Sequence, residues 1–369
     1  EILEHLHGVA AGLRRRRLSR GALDLDLPEA EVVLDEDDPN RIRDMVQSRP
    51  DTPIKRAYAL IEELMIAANE AVGRTLQQAA VDTVWRVHPP PRFEALVDLS
   101  RWLASYGVQA DPEGLATERG MARVLRQLAD HPAARPLSYL VLRTLSQAHY
   151  AVGNVGHFGL ASQSYLHFTS PIRRYPDLHV HRQLKAALRR SGAPAGAPVE
   201  LQRTSAGSLA EIAAEATGAE RRAIEVEREV QRVYASALML DRVGDEVWGT
   251  ITGLSSFGFF VTLDHPFVEG LVRLETLEDW YELDHGAMRL VGQGGAGSGF
   301  SLGDRVKVEV ADTSVIRRRI DLELLGREGG TRWRGHRSSG KRRGRPSSAR
   351  RRGGERGRRY RRFQPTGGK

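Results

Sequence analysis

No cysteine occurs in the 369 residues. Disulfides and thiolate-held metals are therefore excluded, and a reducing compartment, the cytoplasm, is expected. No apolar run approaches the roughly 18 residues that span a bilayer, and no signal peptide is visible, so no membrane partner is expected. His-x-x-x-His spacing is also missing among His149, His157, His167, His179 and His181. Residues two apart on a helix do not share a face, so His179 and His181 cannot chelate one ion together. These histidines do not read as metal ligands. An initiating methionine is lacking as well: the sequence opens at Glu1 within a helical pattern. A fragment is expected, with its true start upstream.

What is present is unevenly charged. From Gly326 to Lys369 there are 17 basic and 2 acidic residues, whereas the preceding 325 hold 38 basic and 45 acidic ones. The basic excess thus belongs to a tail, GKRRGRPSSARRRGGERGRRYRRF at its centre, which cannot bury a core and reads as disordered. Such an arm binds phosphates without sequence preference and with steep salt dependence.

The remaining length suffices for two or three domains. Apolar spacing predicts a helix over 1–18, ending in Arg14 to Arg17, cations suited to a solvated helix C-terminus. Leu23, Leu25 and Leu27 alternate with Asp24 and Asp26 and predict a strand, with a second at 32–34. Asp35 to Asp38 are four consecutive acids that cannot converge on one ion, and they read as a solvated turn. Asp51 to Leu76 is a strong helix opened by Pro53, with Ile54, Ala57, Tyr58, Ile61, Met65 and Ala68 as its apolar face. Further helices are predicted at 93–106, 112–130, 138–150 and 199–240, the last with Ile224, Val230, Val233 and Tyr234 as a stripe. The run GAPAGAP (192–198) reads as a flexible break. Short alternating segments at 247–251, 257–263, 268–274, 306–310 and 320–324 predict a five-stranded OB-type barrel.

The stretch that organises the chain is Thr169-Ser170-Pro171-Ile172-Arg173-Arg174-Tyr175-Pro176-Asp177-Leu178. Pro171 pushes Ser170 out of helical geometry, which predicts Ser170 as N-cap and Pro171 as the first helical residue. Two arginines at a helix start oppose its dipole, which suggests a compensating anion such as a phosphate. The plainer alternative is that Arg173 and Arg174 pair with buried carboxylates. Tyr165, His167 and Phe168 offer faces for base stacking, although core packing suits Phe168 better.

The run HYAVGNVGHFGLASQSYLHFTSPIRRYPDLHVHRQL, His149 to Leu184, closely resembles the signature of the RNB exoribonucleases, the ribonuclease II and ribonuclease R family. The likeness extends over about residues 1–325 and implies an α+β chain. Its parts would be the C-terminal portion of an RNB catalytic domain (1–243), an RNA-binding OB-fold barrel of the ribosomal-protein type (244–325) and the disordered basic tail (326–369). It implies processive 3′→5′ hydrolysis of RNA to nucleoside monophosphates by two magnesium ions. The family's spaced metal-binding aspartates have no counterpart here, so this polypeptide alone is expected to be inactive. By the resemblance, Arg173 contacts the scissile phosphate region. Glu227 (or Glu225), in a segment like the family's ERREVERE run, orients Arg173 through paired hydrogen bonds. Glu63 (or Glu62) faces the cleft, and Arg174, Tyr165 and His167 contact RNA. On the barrel Phe257 and Phe260 stack bases, with Gly258 allowing a bulge between them. Arg273, Asp312 and Arg319 complete that surface, Arg273 standing where relatives often place histidine. The tail favours the ribonuclease R type and suggests ribosome or RNA-decay partners. A monomer is expected. The alternative is a non-catalytic RNA-binding protein.

Overall fold

The computed structural model describes residues 1–25, 27–38, 41–48, 53–192, 206–292 and 299–328. The predicted Gly/Pro break at 192–198, beyond its first residue, and the basic tail from 329 onward lie outside the described residues.

Helix α1 (Ile2–Arg20) leads into a short antiparallel pair, β1 (Ala30–Leu34) with β2 (Ile42–Gln47), and then into α2 (Pro53–Gln78). Among the described residues of the strand expected over 23–27, which are 23–25 and 27, none is in a strand. Leu23 instead donates its N–H to the Gly159 carbonyl, and Asp24 is held by Arg14, so tertiary contacts override the alternation. Arg17 is also unlike the solvated helix end expected for it, being 6% exposed. The apolar face expected on α2 is largely outside: Ile54, Tyr58 and Ile61 are exposed. The buried stripe is rotated to Glu63, Ile66, Asn69, Glu70, Gly73 and Leu76. Polar residues can occupy that stripe because each has a partner, as described below.

Strand β3 (Trp85–Val87) is followed by α3 (Phe93–Ser105), α4 (Pro112–Leu115), α5 (Glu118–Leu128) and α6 (Ala134–Thr144). The single helix predicted over 112–130 is split where the Thr117 hydroxyl caps α5 by accepting the Gly120 N–H at 3.1 Å. Helix α6 stops at Thr144 rather than continuing to Tyr150, because β4 (His149–Ala151) pairs antiparallel with β3. Two more helices follow, α7 (Tyr175–Arg190) and α8 (Ala206–Met239).

In α8 burial is confined to the ends. Leu209 and Ala213 pack with Val84 and Tyr150, Met239 enters the core shared with the barrel, and residues 221–228 are exposed all round. Of the stripe predicted there, Ile224, Val230 and Tyr234 are exposed and Val233 is half-buried. Helix α8 is thus a strut between the β3–β4 pair and the following domain.

That domain holds β5 (Glu246–Ser255), β6 (Gly258–Leu263), β7 (Glu269–Arg273), β8 (Tyr281–Asp284), β9 (Arg289–Gly292), β10 (Gly299–Ser301), β11 (Arg305–Ser314) and β12 (Arg319–Arg327). Strands β11-β12-β7-β6-β5 close on themselves, while β8–β10 form a separate three-stranded sheet inserted between β7 and β11. Inward residues alternate as the sequence does: Val306, Val308 and Val310 face Ile320, Leu322 and Leu324 around a fully buried Phe259. The inserted sheet seats the domain on α3. Trp102 Nε1 donates to His285 O at 2.8 Å, Tyr106 Oη to Met288 O at 2.9 Å, and Arg289 to Ser105 O at 2.7 Å. Gly303, at φ +90°, passes so close that a Cβ there would lie 2.6 Å from Ala133 Cβ. One apolar core consequently runs from α3, α5 and α6 into the barrel.

Candidate functional site

The helix after the SPIRR run starts four residues later than expected. Its N-cap is Arg174, in extended backbone, and Pro176 lies in the first turn, where a missing N–H leaves no intrahelical acceptor unused. Residues 171–173 form a turn instead, with Ser170 O accepting the N–H of Arg173 at 3.3 Å and of Arg174 at 3.1 Å. Ile172 at its tip is wholly exposed.

The two arginines then take different roles. Arg174 turns inward and donates from Nη2 to Asp177 Oδ1 at 2.7 Å, the Asp177 side chain being fully buried. Arg173 is exposed and has no ion pair or side-chain hydrogen bond among the described residues. The buried-carboxylate alternative therefore describes Arg174, while Arg173 is left as an uncompensated surface cation.

Behind the turn runs a line of edge-on rings. His88–His157, His157–Tyr165 and Tyr165–His167 centroids lie 5.0, 5.1 and 5.8 Å apart. Tyr150 Oη shares a 2.8 Å hydrogen bond with His167 Nδ1. Burial is the main cause that holds these groups neutral: it pushes His157 down to about 3 and His167 down to about 2, with Arg174 and Arg86 adding to the latter. Burial likewise pushes Tyr150 up to about 12. Tyr165 is 7% exposed with its hydroxyl accepting from Asn69 Nδ2 at 3.1 Å, so its face is not open for the base stacking expected of it. Asn69 also accepts the Phe168 N–H, and Phe168 stacks on His181 at 4.0 Å. His167 is half-buried beside Arg86, whose guanidinium lies 4.9 Å above the Tyr150 ring.

Of the carboxylates expected at the site, Glu63 is sealed between helices. It is 3% exposed and accepts from Arg17 Nε at 3.2 Å and from Arg17 Nη2, with Arg14 at 3.9 Å. The neighbouring Glu62 is exposed. Glu227 and Glu225 lie in the exposed middle of α8, and no ion pair joins Glu227 to Arg173. The α8 carboxylate that holds an arginine of the β3–β4 pair is Glu220, two turns earlier, in a bidentate pair with Arg86 at 2.6 and 2.9 Å. The segment's charge repeats (Glu220, Glu225, Glu227, Glu229) left its phase open. What settles it is the docking of the N-terminal part of α8 on β4, where Thr217 Oγ1 accepts the Tyr150 N–H.

Among the described residues no group of three or more His, Asp or Glu is placed to hold a metal ion. Asp177, Glu220 and Glu63 are each taken by an arginine, and Asp35 accepts the N–H groups of Asp37 and Asp38 within its own turn.

On the barrel, Phe257 is 54% exposed and Phe260 half-buried, their rings T-shaped at 6.3 Å. The β5–β6 turn, not a bulge at Gly258, brings them together. Gly258 is needed for another reason: a Cβ there would sit 2.3 Å from Val272 O. Arg319 pairs with Asp321 at 2.7 Å and Arg273 approaches the same carboxylate at 3.5 Å. Asp312 is exposed and opposite Asp321 in the ladder. Sequence reasoning missed Asp321, although its outward place in Ile320-Asp321-Leu322 marked it as facing that surface. A groove of about 620 Å³ lies between α8 and this domain, lined by Phe260, Glu269, Arg228, Arg232 and Arg317 to Arg319, and Glu229 of α8 pairs with Arg318 beside it.

A family model for the RNB domain matches residues 1–190, and one for the S1 RNA binding domain matches residues 240–325. Ribonuclease R of Aquifex aeolicus is 39% identical over 328 residues, 88% of this chain and 44% of that protein. The apo form of Mycoplasma genitalium RNase R superposes with a TM-score of 0.78 at 28% identity, over 88% of this chain and 49% of the other. The same enzyme in complex with ribose methylated single-stranded RNA gives 0.77 at 27%, with the same coverage. The chain spans less than half the length of the curated relatives it matches.

Proposed function

The chain belongs to the RNB family, and from that premise we propose that it is the RNA-gripping part of a ribonuclease R-like exoribonuclease working in the 3′→5′ direction. The observation that carries this reading is the pairing state of the two arginines. Arg173 is exposed and uncompensated at the tip of a turn, where an RNA phosphate supplies the missing anion. The S1 domain supports it with Phe257 beside Phe260 as a stacking platform and Arg273 and Arg319 as backbone contacts. The basic tail would add sequence-independent attraction, and ribosomes or RNA-decay assemblies are its natural partners. Complexes of the Mycoplasma genitalium enzyme with ribose methylated single-stranded RNA and with double-stranded RNA support single-stranded or structured RNA as the substrate class.

Family membership implies a divalent metal, with magnesium the proposed ion. The described residues do not fit it, since no three of their His, Asp or Glu side chains come together to hold an ion, and Asp177, Glu220 and Glu63 are each taken by an arginine. No step is therefore derived through a metal. What the residues of this chain do is bind and orient: Arg173 meets the phosphate, while His167 and Tyr150, neutral and mutually bonded, shape the wall beneath it. A cytoplasmic location is proposed from the lack of cysteine.

The test is degradation of a 5′-labelled single-stranded RNA with magnesium. The chain alone is compared with the same chain joined behind the portion of the Aquifex aeolicus relative that precedes the matched region. The joined protein should shorten the RNA stepwise from its 3′ end, and Arg173→Ala should slow it by about 100-fold. The chain alone should bind RNA without shortening it. Tight RNA binding by the joined protein with no shortening would overturn the enzyme reading and leave an RNA-binding protein.

A further inference from the structure

Asp177 stands in the third position of α7, three residues after its N-cap Arg174. A carboxylate at that position ordinarily folds back onto the N-cap's own N–H, which closes a capping box and serves the helix. Asp177 reaches further. Its Oδ1 accepts the backbone N–H of Ser170, four residues before the N-cap, at 2.8 Å, and Arg174 Nη2 at 2.7 Å. Ser170 in turn accepts the backbone N–H groups of Arg173 and Arg174. The five residues Ser170 to Arg174 are thereby closed from both ends onto one oxygen atom, and that oxygen belongs to a side chain with 0% exposure.

The consequence falls on the arginines. With the guanidinium of Arg174 drawn down to Asp177, the turn has only one direction left for its other cation, and Arg173 projects beside the wholly exposed Ile172. Two adjacent residues of the same chemistry are thus made unequal by a third residue that touches neither solvent nor, in the reading above, RNA. We infer that Asp177 is a positioning residue: it selects Arg173 rather than Arg174 as the phosphate-facing cation by locking Arg174 and the Ser170 N–H onto a single buried carboxylate oxygen. This rests on the proposed role of Arg173. A residue that merely stabilised the fold would lower RNA binding and turnover together. A residue that chooses between two cations leaves both able to attract RNA and spoils only the alignment, because an ångström of misplacement is enough to cost about 100-fold in rate.

The measurement is residue-resolved arginine modification with phenylglyoxal on the full chain, read by mass spectrometry, alongside turnover by the joined protein. In the unaltered chain Arg173 should react and Arg174 should be protected. In Asp177→Asn the modification of Arg174 should rise by about tenfold, the scale on which a charged hydrogen bond is lost. Turnover should fall by about 100-fold while KM for RNA changes little. Should Asp177→Asn fail to fold, the pair Arg174→Met with Asp177→Leu removes both charges at once, a change that buried ion pairs tolerate. That pair should retain cooperative melting and still lose turnover, because the Ser170 N–H no longer has the carboxylate that fixes the turn carrying Arg173. Unchanged turnover in either folded variant, or equal fractional losses of affinity and rate, would overturn the inference. Unchanged turnover in Arg173→Ala would instead overturn the reading of the site itself.

Discussion

The S1 domain and the helical part are held together differently. In the barrel the polar–apolar period of the sequence and the burial coincide, strand after strand, and charges such as Arg305–Asp264 and Lys307–Glu246 stay near the surface. On α2 they part company: Ile54, Tyr58 and Ile61 face outward while Glu63, Asn69 and Glu70 are buried. Each of those three has its partner, Glu63 with Arg17, Asn69 with Tyr165 and Phe168, Glu70 with Arg20. Apolar area removed from water stabilises the barrel and the α3, α5 and α6 helices alike, whereas the buried face of α2 carries polar groups that are expensive unless matched. Matched polar groups also fix geometry, and the helical part is where geometry matters: Asn69 carries the Tyr165–Phe168 segment that leads to the SPIRR turn.

That contrast can be broken experimentally. The largest effects should come from one-sided changes. Glu63→Leu leaves Arg17 buried without its anion and should cost about 3–5 kcal/mol in urea unfolding, and adding Arg17→Met should recover most of it. Phe259→Ala in the barrel should cost a similar 3–5 kcal/mol, with no second substitution that recovers it, since the loss is volume and area. If Glu63→Leu is tolerated without its partner change, the two regions do not differ as described.

Acid should separate them next. His157 and His167 are neutral when folded, held down by burial to about 3 and about 2, whereas an unfolded histidine titrates near its ordinary value of about 6.5. Between those values the unfolded chain binds more protons, so stability should fall as pH drops below about 6.5, by up to about 1.4 kcal/mol per pH unit for each group. Melting followed from pH 7 to 5 should show this slope, and His157→Gln should flatten it. The smallest effect belongs to the barrel surface: Arg305→Ala removes a bidentate contact to Asp264, but both partners are over a third exposed, and less than about 1 kcal/mol is expected.

The same contrast governs what could be read from the sequence. All five barrel strands were legible because alternation has only two phases, and one of them exposes Val306, Val308 and Val310 of β11 with Leu322 and Leu324 of β12. The inserted β8–β10 sheet was not, since its strands span only three or four residues each. Helices were legible as elements, but the break at Thr117, the ends of α6 and the start of α7 were not, nor were the buried faces: a helix with apolar residues on two sides has no unique phase, and partners from Arg17 or Tyr165 are invisible locally. At the site, the sequence marked Arg173 and Arg174 as a conflict with the helix dipole. The structure resolves it by starting the helix at Tyr175 and giving Arg174 to Asp177. Glu220 was passed over for Glu227 because charge alone does not say which turn of a long exposed helix meets its partner.

The most direct test of the central claim, that Arg173 alone of the pair meets RNA, is modification of the two arginines with and without a saturating single-stranded RNA. The account predicts that Arg173 reacts when the protein is free and is protected by RNA, while Arg174 stays unreactive in both states. Protection of Arg174, or an Arg173 whose reactivity ignores RNA, would contradict it.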